Sequence, residues 1–237
     1  MKRKTRYLVY LPIMLLVTWM LAKVLPAAQD IIPVAKFTSA KMHKGLPAGW
    51  ELDKKCGTPF ISLDKAGDSY CLHLFSDNHS SFGIKKALSV DIRQYPYLIW
   101  DWAVTRLPTN GDVRNADRDD QAVQIYIAFP ATGWPKKLNT PILGYVWDNE
   151  APKNWMGRSR QSGGGKLRYI VLRNSADKLN QWHPEKRNVY EDYKRLFADI
   201  NNGEPTGPIQ GVELYINSQH TGSTAESFIC DMYFSRN

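Results

Sequence analysis

Residues 98–104 read Leu98-Ile99-Trp100-Asp101-Trp102-Ala103-Val104, a run of β-branched and aromatic side chains without glycine or proline. In an extended strand side chains alternate between two faces, so Trp100 and Trp102 share one face and Asp101 stands on the other. The same texture repeats outward from this run. Strand-forming stretches occur at 34–37, 59–63, 70–75, 84–90, 122–129, 142–147, 167–172, 211–216 and 227–234, with turn residues between them. Some ten short strands at this spacing predict an all-β domain, a two-sheet β-sandwich or jelly roll. One helix interrupts the pattern at 189–200, where Tyr190, Tyr193, Leu196, Phe197 and Ile200 fall at helical spacing and Asn201-Asn202-Gly203 supply a stop. A stripe of this kind is expected to dock on a sheet.

The N-terminus differs from the rest. Lys2, Arg3, Lys4 and Arg6 precede an apolar stretch at 7–21, and no acidic residue occurs before Asp30. This predicts an apolar targeting helix within residues 1–28, either a signal peptide or a membrane anchor through residues 7–25, whose 19 residues rise about 28 Å as a helix. Cations ahead of the apolar run hold that end in the cytoplasm and send the C-terminal remainder of the chain across the membrane. The expected location is therefore periplasmic or otherwise extracytoplasmic, with inner-membrane anchoring as the uncleaved case. Residues 29–44 read as a linker and first strand, and 45–237 as the sandwich domain. The formal net charge of +8 includes Lys2, Arg3, Lys4, Arg6 and Lys23, so the exported part carries about +3. That excess is too small to point to a nucleic-acid partner.

Of the three cysteines, Cys56 and Cys71 are expected to close a short loop in an oxidising compartment, leaving Cys230 free. Their spacing matches neither a redox pair nor a zinc site. Seven of the eight tryptophans lie between Trp50 and Trp182, and in an exported β domain such residues either fill the core or stack on sugars.

Several stretches carry candidate chemistry. Asn115-Ala116-Asp117-Arg118-Asp119-Asp120 offers alternating oxygens like part of a calcium loop, but Asp120 stands where glycine is required and no glutamate closes the loop. A charged turn is the default reading, with calcium as the alternative and no other cofactor or metal implied. Asp101, Asp119, Asp120, Asp148 and Glu150 are the acids available to a paired-carboxylate mechanism, which needs two of them about 5 to 9.5 Å apart across a groove. Gly163-Gly164-Gly165-Lys166 lacks the serine or threonine of a phosphate loop, and the five histidines show no metal-ligand spacing. The loop with Lys153, Trp155, Arg158, Arg160 and Lys166 is basic enough to hold an anionic glycan, though a solvated loop is the simpler reading.

Gly45-Leu46-Pro47-Ala48-Gly49-Trp50, Tyr97-Leu98-Ile99-Trp100-Asp101-Trp102, Asp119-Asp120 ahead of Ile125-Tyr126-Ile127-Ala128-Phe129, Tyr145-Val146-Trp147, Tyr169-Ile170-Val171-Leu172-Arg173, Arg187-Asn188-Val189 with Asp192-Tyr193, and Thr221-Gly222 through Asp231-Met232-Tyr233-Phe234 occur in this order. Together they resemble the exported bacterial proteins grouped as domain-of-unknown-function family 3047. The resemblance spans nearly the whole chain after the N-terminal segment. It implies no established activity, and at fold level it is similar to jelly-roll carbohydrate-binding modules. The chain departs from the family at Asn217, Ser218, Gln219 and His220, where acidic residues tend to precede Thr-Gly. The leading expectation is a sandwich that binds a glycan or cell-envelope polymer without catalysis. Trp100, Trp102, Trp147 and Trp155 would stack on it, and Asp119 and Asp120 would accept its hydrogen bonds. The alternatives are a carbohydrate-active hydrolase or lyase using Asp101 with Asp119 or Asp120, and a structural or partner-binding envelope protein.

Overall fold

A computed structural model describes residues 30–38, 42–43, 45–161 and 166–237. The targeting segment and Gly163-Gly164-Gly165 lie outside the described residues. The strands are β1 (Ile31–Ala35), β2 (Met42–His43), β3 (Leu46–Pro47), β4 (Glu51–Cys56), β5 (Phe60–Ala66), β6 (Ser69–Ser76), β7 (Ser81–Val90), β8 (Tyr97–Arg106) and β9 (Val123–Ala128). After a four-residue helix α1 (Lys136–Asn139) come β10 (Ile142–Trp147), β11 (Met156–Arg158), β12 (Leu167–Arg173) and β13 (His183–Asn188). The helix α2 (Val189–Leu196) precedes β14 (Ile209–Asn217) and β15 (Ala225–Ser235).

Two sheets form a β-sandwich of the jelly-roll kind. One has the order β13-β8-β15-β6-β5, with β1 also paired to β15; the other has the order β11-β12-β10-β9-β14-β7-β4. Pairing is antiparallel except between β10 and β12. Leu98, Trp100, Trp102 and Val104 occupy alternate positions of β8 and are all fully buried, so this parity faces the opposite sheet. Across the interface Trp100 lies 5.5 Å from Tyr145 and Trp102 lies 5.8 Å from Trp147, centroid to centroid. Trp100, Trp102 and Trp147 therefore make the core where the two sheets meet. The expectation that they stack on a ligand is corrected by their burial.

The helix α2 begins at Asn188, whose side chain caps Glu191 N at 3.0 Å. Tyr193 packs 4.3 Å from Phe129. Asp192 accepts hydrogen bonds from Tyr145 Oη at 2.7 Å and from Arg187 at 2.7 Å and 3.0 Å, so the helix is fastened to both sheets. Among the described residues no helix is long and apolar enough to cross a membrane.

The disulfide joins Cys71 to Cys230, and Cys56 is free. The expected Cys56–Cys71 bridge is overturned by topology, because β4 and β6 belong to different sheets. The register that sets Ile229 opposite Leu72 brings Cys230 to Cys71 across neighbouring strands. A disulfide persists in oxidising compartments, in agreement with a location outside the cytoplasm.

The loops gather at the two ends of the sandwich. Residues 77–80, 107–122, 148–155 and 217–224 contact one another at the end that holds Asp119. Asp30, residues 91–96, the hairpin 129–141 and residues 197–208 lie at the other.

Candidate ligand-binding groove

The outer face of the seven-stranded sheet is set by alternation. Val123, Ile125 and Ile127 of β9 fill the core, which turns Gln124, Tyr126 and Ala128 outward. In β14 the buried Val212, Leu214 and Ile216 turn Gly211, Glu213, Tyr215 and Asn217 outward, and in β12 Ile170 does the same for Tyr169. Three tyrosines from three strands thus form a row. The Tyr169 and Tyr126 rings are 6.3 Å apart and the Tyr126 and Tyr215 rings 6.0 Å apart.

The strands beside the row carry glycine where a side chain would meet the rings. At Gly83 of β7 an added Cβ would come 2.6 Å from Tyr215 Cδ2 and 2.4 Å from the Leu214 carbonyl oxygen. Tyr215 Oη is 2.7 Å from Ser81 Oγ, and the Tyr126 hydroxyl donates to Gln124 Oε1. Burial pushes all three phenols above their ordinary pKa, so they act as neutral hydrogen-bonding groups on an aromatic floor.

Two hollows meet at Tyr126. One, of about 420 Å³, runs over Ala87, Ala128, Gly211 and Glu213. The other, of about 210 Å³, lies toward the Asp119 end and is lined by Asp119, Gln124, Gln161, Asn217 and His220 together with the tyrosines. Its polar wall is pre-set. Asn217 Oδ1 accepts from Gln121 N at 2.9 Å and from Gln124 Nε2 at 2.6 Å, while its Nδ2 donates to the Asp119 carbonyl at 2.6 Å. Gln161 Nε2 donates to the Ala116 carbonyl at 2.8 Å.

Two carboxyl groups face this groove with raised proton affinity. Burial pushes Asp119 up to about 7, and hydrogen bonds from Gln121 and Gln161 only partly oppose it. Burial pushes Glu213 up to about 8, with Asp53 adding to the rise and Lys85 opposing it. Asp148 is also raised, to about 6 and mainly by burial, but its oxygens accept from Val113 N at 2.8 Å and Ala151 N at 2.7 Å and so hold a loop.

The residues singled out by sequence separate in space. Asp119 lines the groove, whereas Asp120 is fully buried and accepts from Thr221 N at 2.6 Å. Asp101 stands on the outer face of the six-stranded sheet, where partial burial and then Asp231 raise its pKa. The proposed pairing of Asp101 with Asp119 or Asp120 fails because Asp101 and the groove lie on opposite sides of the sandwich. The oxygens of the 115–120 loop diverge: Asn115 Oδ1 accepts from Asp117 N, while Asp119 and Asp120 turn to the groove and to Thr221. Among the described residues no cluster of three or more His, Cys, Asp or Glu side chains could hold a metal ion.

Trp155 lies over Gly157 and packs half-buried against the cluster of Val113, Val146, Ala151, Tyr169 and Val171, on the same outer face as the tyrosine row but outside the residues that line the two hollows. The basic loop is divided among separate partners, Lys153 with Asp177 at 2.7 Å and Arg158 with Asp199 at 2.5 Å. The tyrosine row was not singled out by sequence. A tyrosine between two aliphatic core residues, as in Ile125-Tyr126-Ile127 and Leu214-Tyr215-Ile216, was the signal available.

A family model described as a protein of unknown function, DUF3047, matches residues 49–233. No curated protein matches the chain. Among solved structures, the family 11 carbohydrate-binding module of the cellulosomal cellulase Lic26A-Cel5E of Clostridium thermocellum is similar at 8% identity, over 85% of this chain and 95% of that one, with a TM-score of 0.45. A family 11 module from the same organism, in complex with a β-1,3-1,4-mixed-linked tetrasaccharide, is similar at 7% identity, over 86% and 96%, with a TM-score of 0.44. The module TmCBM61 in complex with β-1,4-galactotriose is similar at 12% identity, over 80% and 90%, with a TM-score of 0.37.

Proposed function

The chain belongs to the DUF3047 family, and from the groove that this fold builds we propose that it binds an uncharged glycan chain, or an uncharged stretch of an envelope polymer, across the seven-stranded sheet. The observation that carries this is the half-buried pair Tyr126 and Tyr215, extended inward by the buried Tyr169 with successive rings tilted by 40°, beside an ordered wall of Gln124, Gln161, Asn217 and Asp119. A sugar ring has apolar C–H faces and a rim of hydroxyls. It is therefore recognised by aromatic surface below and by amide and carboxyl groups at its edge. Protonated Asp119 and Glu213 add no charge to the groove at mildly acidic pH and can donate hydrogen bonds to sugar hydroxyls; Lys85, which lines the larger hollow, is paired with Asp53 at 2.8 Å.

Isothermal titration calorimetry against neutral and anionic oligosaccharides tests this reading. Saturable binding of a neutral chain that is lost in Tyr126→Ala and Tyr215→Ala supports it. Equal affinity in wild type and both variants, or preference for the anionic series, overturns it.

Asp119 itself favours a second reading. A carboxyl that keeps its proton to about pH 7 and lines a sugar-sized groove is equipped to be a general acid. Glu213 is a poor second carboxylate. Four residues separate it along β14 from Asn217, which binds the Asp119 carbonyl, and that is about 13 Å of strand against the 5 to 9.5 Å that glycosidases use. Release of reducing ends that stops in Asp119→Asn while binding persists would establish catalysis.

A further inference from the structure

The hairpin between β9 and β10 presents Trp134 at 88% exposure and Leu138 at 56%, with Lys136 and Lys137 between them. Neither lysine has an ion-pair partner among the described residues. Tryptophan is a side chain that folding normally covers, so such exposure calls for a partner outside the domain.

The hairpin is built to hold these groups out. Thr132 N donates to the Asn139 carbonyl at 2.9 Å, Leu138 N and Asn139 Nδ2 each donate to the Pro135 carbonyl at 3.1 Å, and Thr140 Oγ1 donates to the Lys136 carbonyl at 2.9 Å. A third cation, Lys166 Nζ, lies 3.5 Å from Thr132 Oγ1.

Its place in the fold is the second observation. Phe129 at the hairpin base packs on Tyr193 of α2, and α2 starts where Val189 N bonds the Pro96 carbonyl at 2.7 Å. Next to Pro96, Tyr97 pairs with Ser235, and Ser235 pairs with Ile31. The 29 residues preceding Asp30, with their apolar run at 7–21, therefore join the domain at the same end as Trp134.

We propose that this end of the sandwich rests on an anionic lipid surface. Trp134 and Leu138 enter the interfacial layer, and Lys136, Lys137 and Lys166 meet the headgroups. A narrow convex hairpin with two apolar side chains offers far less than the roughly 800 Å² per partner of a specific protein interface. A fluid interface accepts a convex probe without shape complementarity. An indole flanked by ammonium groups matches both the apolar and the charged layers of that boundary. The hollow at the Asp119 end lies away from the hairpin and remains accessible in this pose.

The test uses the full chain with Cys56→Ser and Leu138→Cys, labelled with a nitrobenzoxadiazole dye and reconstituted into vesicles. One set contains phosphatidylcholine with phosphatidylglycerol, the other phosphatidylcholine alone. A chain labelled instead through Lys178→Cys, at the Asp119 end, is the aqueous reference. The expected result is blue-shifted emission and quenching by nitroxide lipids at position 138 in the anionic vesicles, absent at 178. Combining Lys136→Glu with Lys137→Glu should return position 138 to the aqueous signal. An aqueous signal at 138 in anionic vesicles overturns the proposal. So does a shift indifferent to lipid charge and to charge reversal, which would mark contact with the chain's own N-terminal segment, a second copy or a protein.

Discussion

Tyr126 and Tyr169 approach to 6.3 Å across a missing side chain: on the strand between them stands Gly144, where a Cβ would come 2.8 Å from Tyr169 Cδ1 and 3.1 Å from Tyr126 Cδ1. The floor of the groove therefore depends on a residue that touches no ligand. Glycine in a strand interior weakens the strand, and here aromatic rings cover the gap.

Replacing Gly144 by valine should lift both rings from the sheet. The expected cost is about 1–3 kcal/mol of stability, the range for inserting bulk into packed surroundings, with glycan affinity reduced about tenfold or more. Thermal melts and calorimetric titration of the same variant separate the two effects. Unchanged affinity in a folded Gly144→Val protein would show that binding does not depend on the approach of Tyr126 to Tyr169.

The core tryptophans and the groove tyrosines should respond oppositely to truncation. Trp100→Ala removes a side chain that is 1% exposed and packed on Tyr145, with an expected loss of about 3–5 kcal/mol. Tyr215→Ala, at a half-buried outer position, should cost about 1 kcal/mol in stability and most of the ligand affinity. Urea melts alongside titrations would reveal the contrast, and a Trp100→Ala protein with wild-type stability would contradict the packing of Trp100 between the sheets.

Stability should fall as pH rises from about 4 to about 8. Asp119 and Glu213 hold protons in the folded state up to about 7 and about 8, against ordinary values of 3.8 and 4.5. Across this interval the native state binds more protons than the unfolded one, so raising the pH favours unfolding. Asp199, held down to about 2 chiefly by its hydrogen bond from Arg168, has the opposite sign and loses its contribution as pH falls from about 4 toward 2. Glu213→Gln should gain on the order of 2 kcal/mol relative to wild type at pH 9, a figure reduced for the partial exposure of this side chain, and nothing at pH 4. Parallel pH–stability curves for the two proteins would remove Glu213 from the account.

Breaking the Cys71–Cys230 bridge, which spans 159 residues, should cost about 2–5 kcal/mol. Cys56→Ser should be nearly neutral, because a hydroxyl can still donate to Gln219 Oε1, now 2.8 Å from the thiol. Peptide mapping without reductant is the direct check, and a Cys56–Cys71 peptide would refute the register of β6 against β15.

Much of this architecture is legible in residue order. Alternation in Leu98-Ile99-Trp100-Asp101-Trp102 gives the strand, and the helix expected at 189–200 is present as Val189–Leu196. The helix ends earlier than expected, at Phe197, whose N donates to the Tyr193 carbonyl at 2.8 Å, and Asn201, Asn202 and Gly203, with φ of 47°, 54° and 78°, form the turn that follows, a conformation that asparagine and glycine tolerate. The two faces of β8 were separable as well, since Leu98, Trp100, Trp102 and Val104 leave no polar residue on their parity. What local order could not supply was partnership across the fold. Cys71 meets Cys230 only because β15 is threaded beside β6, and Tyr126, Tyr169 and Tyr215 become neighbours only when β9, β12 and β14 enter one sheet. Tryptophan drew attention through its size. The groove uses tyrosine, whose phenol tolerates an outer sheet face.

The last two strands occupy central places: β14 lies between β9 and β7, and β15 between β8 and β6. The seven-stranded sheet cannot close before β14 is made, nor the six-stranded sheet before β15. The pieces that the earlier strands can form, β4 with β7, β9 with β10 and β12, β5 with β6, and β8 with β13, therefore wait for β14 and β15 to join them. Folding is thus coupled to the synthesis of β14 and β15. A nascent chain cut before Ile209 has no smaller version of this domain to adopt. A chain threaded through a narrow pore has no reason to seize before β15 has cleared the exit, so the topology is itself a delay that suits passage in the extended state.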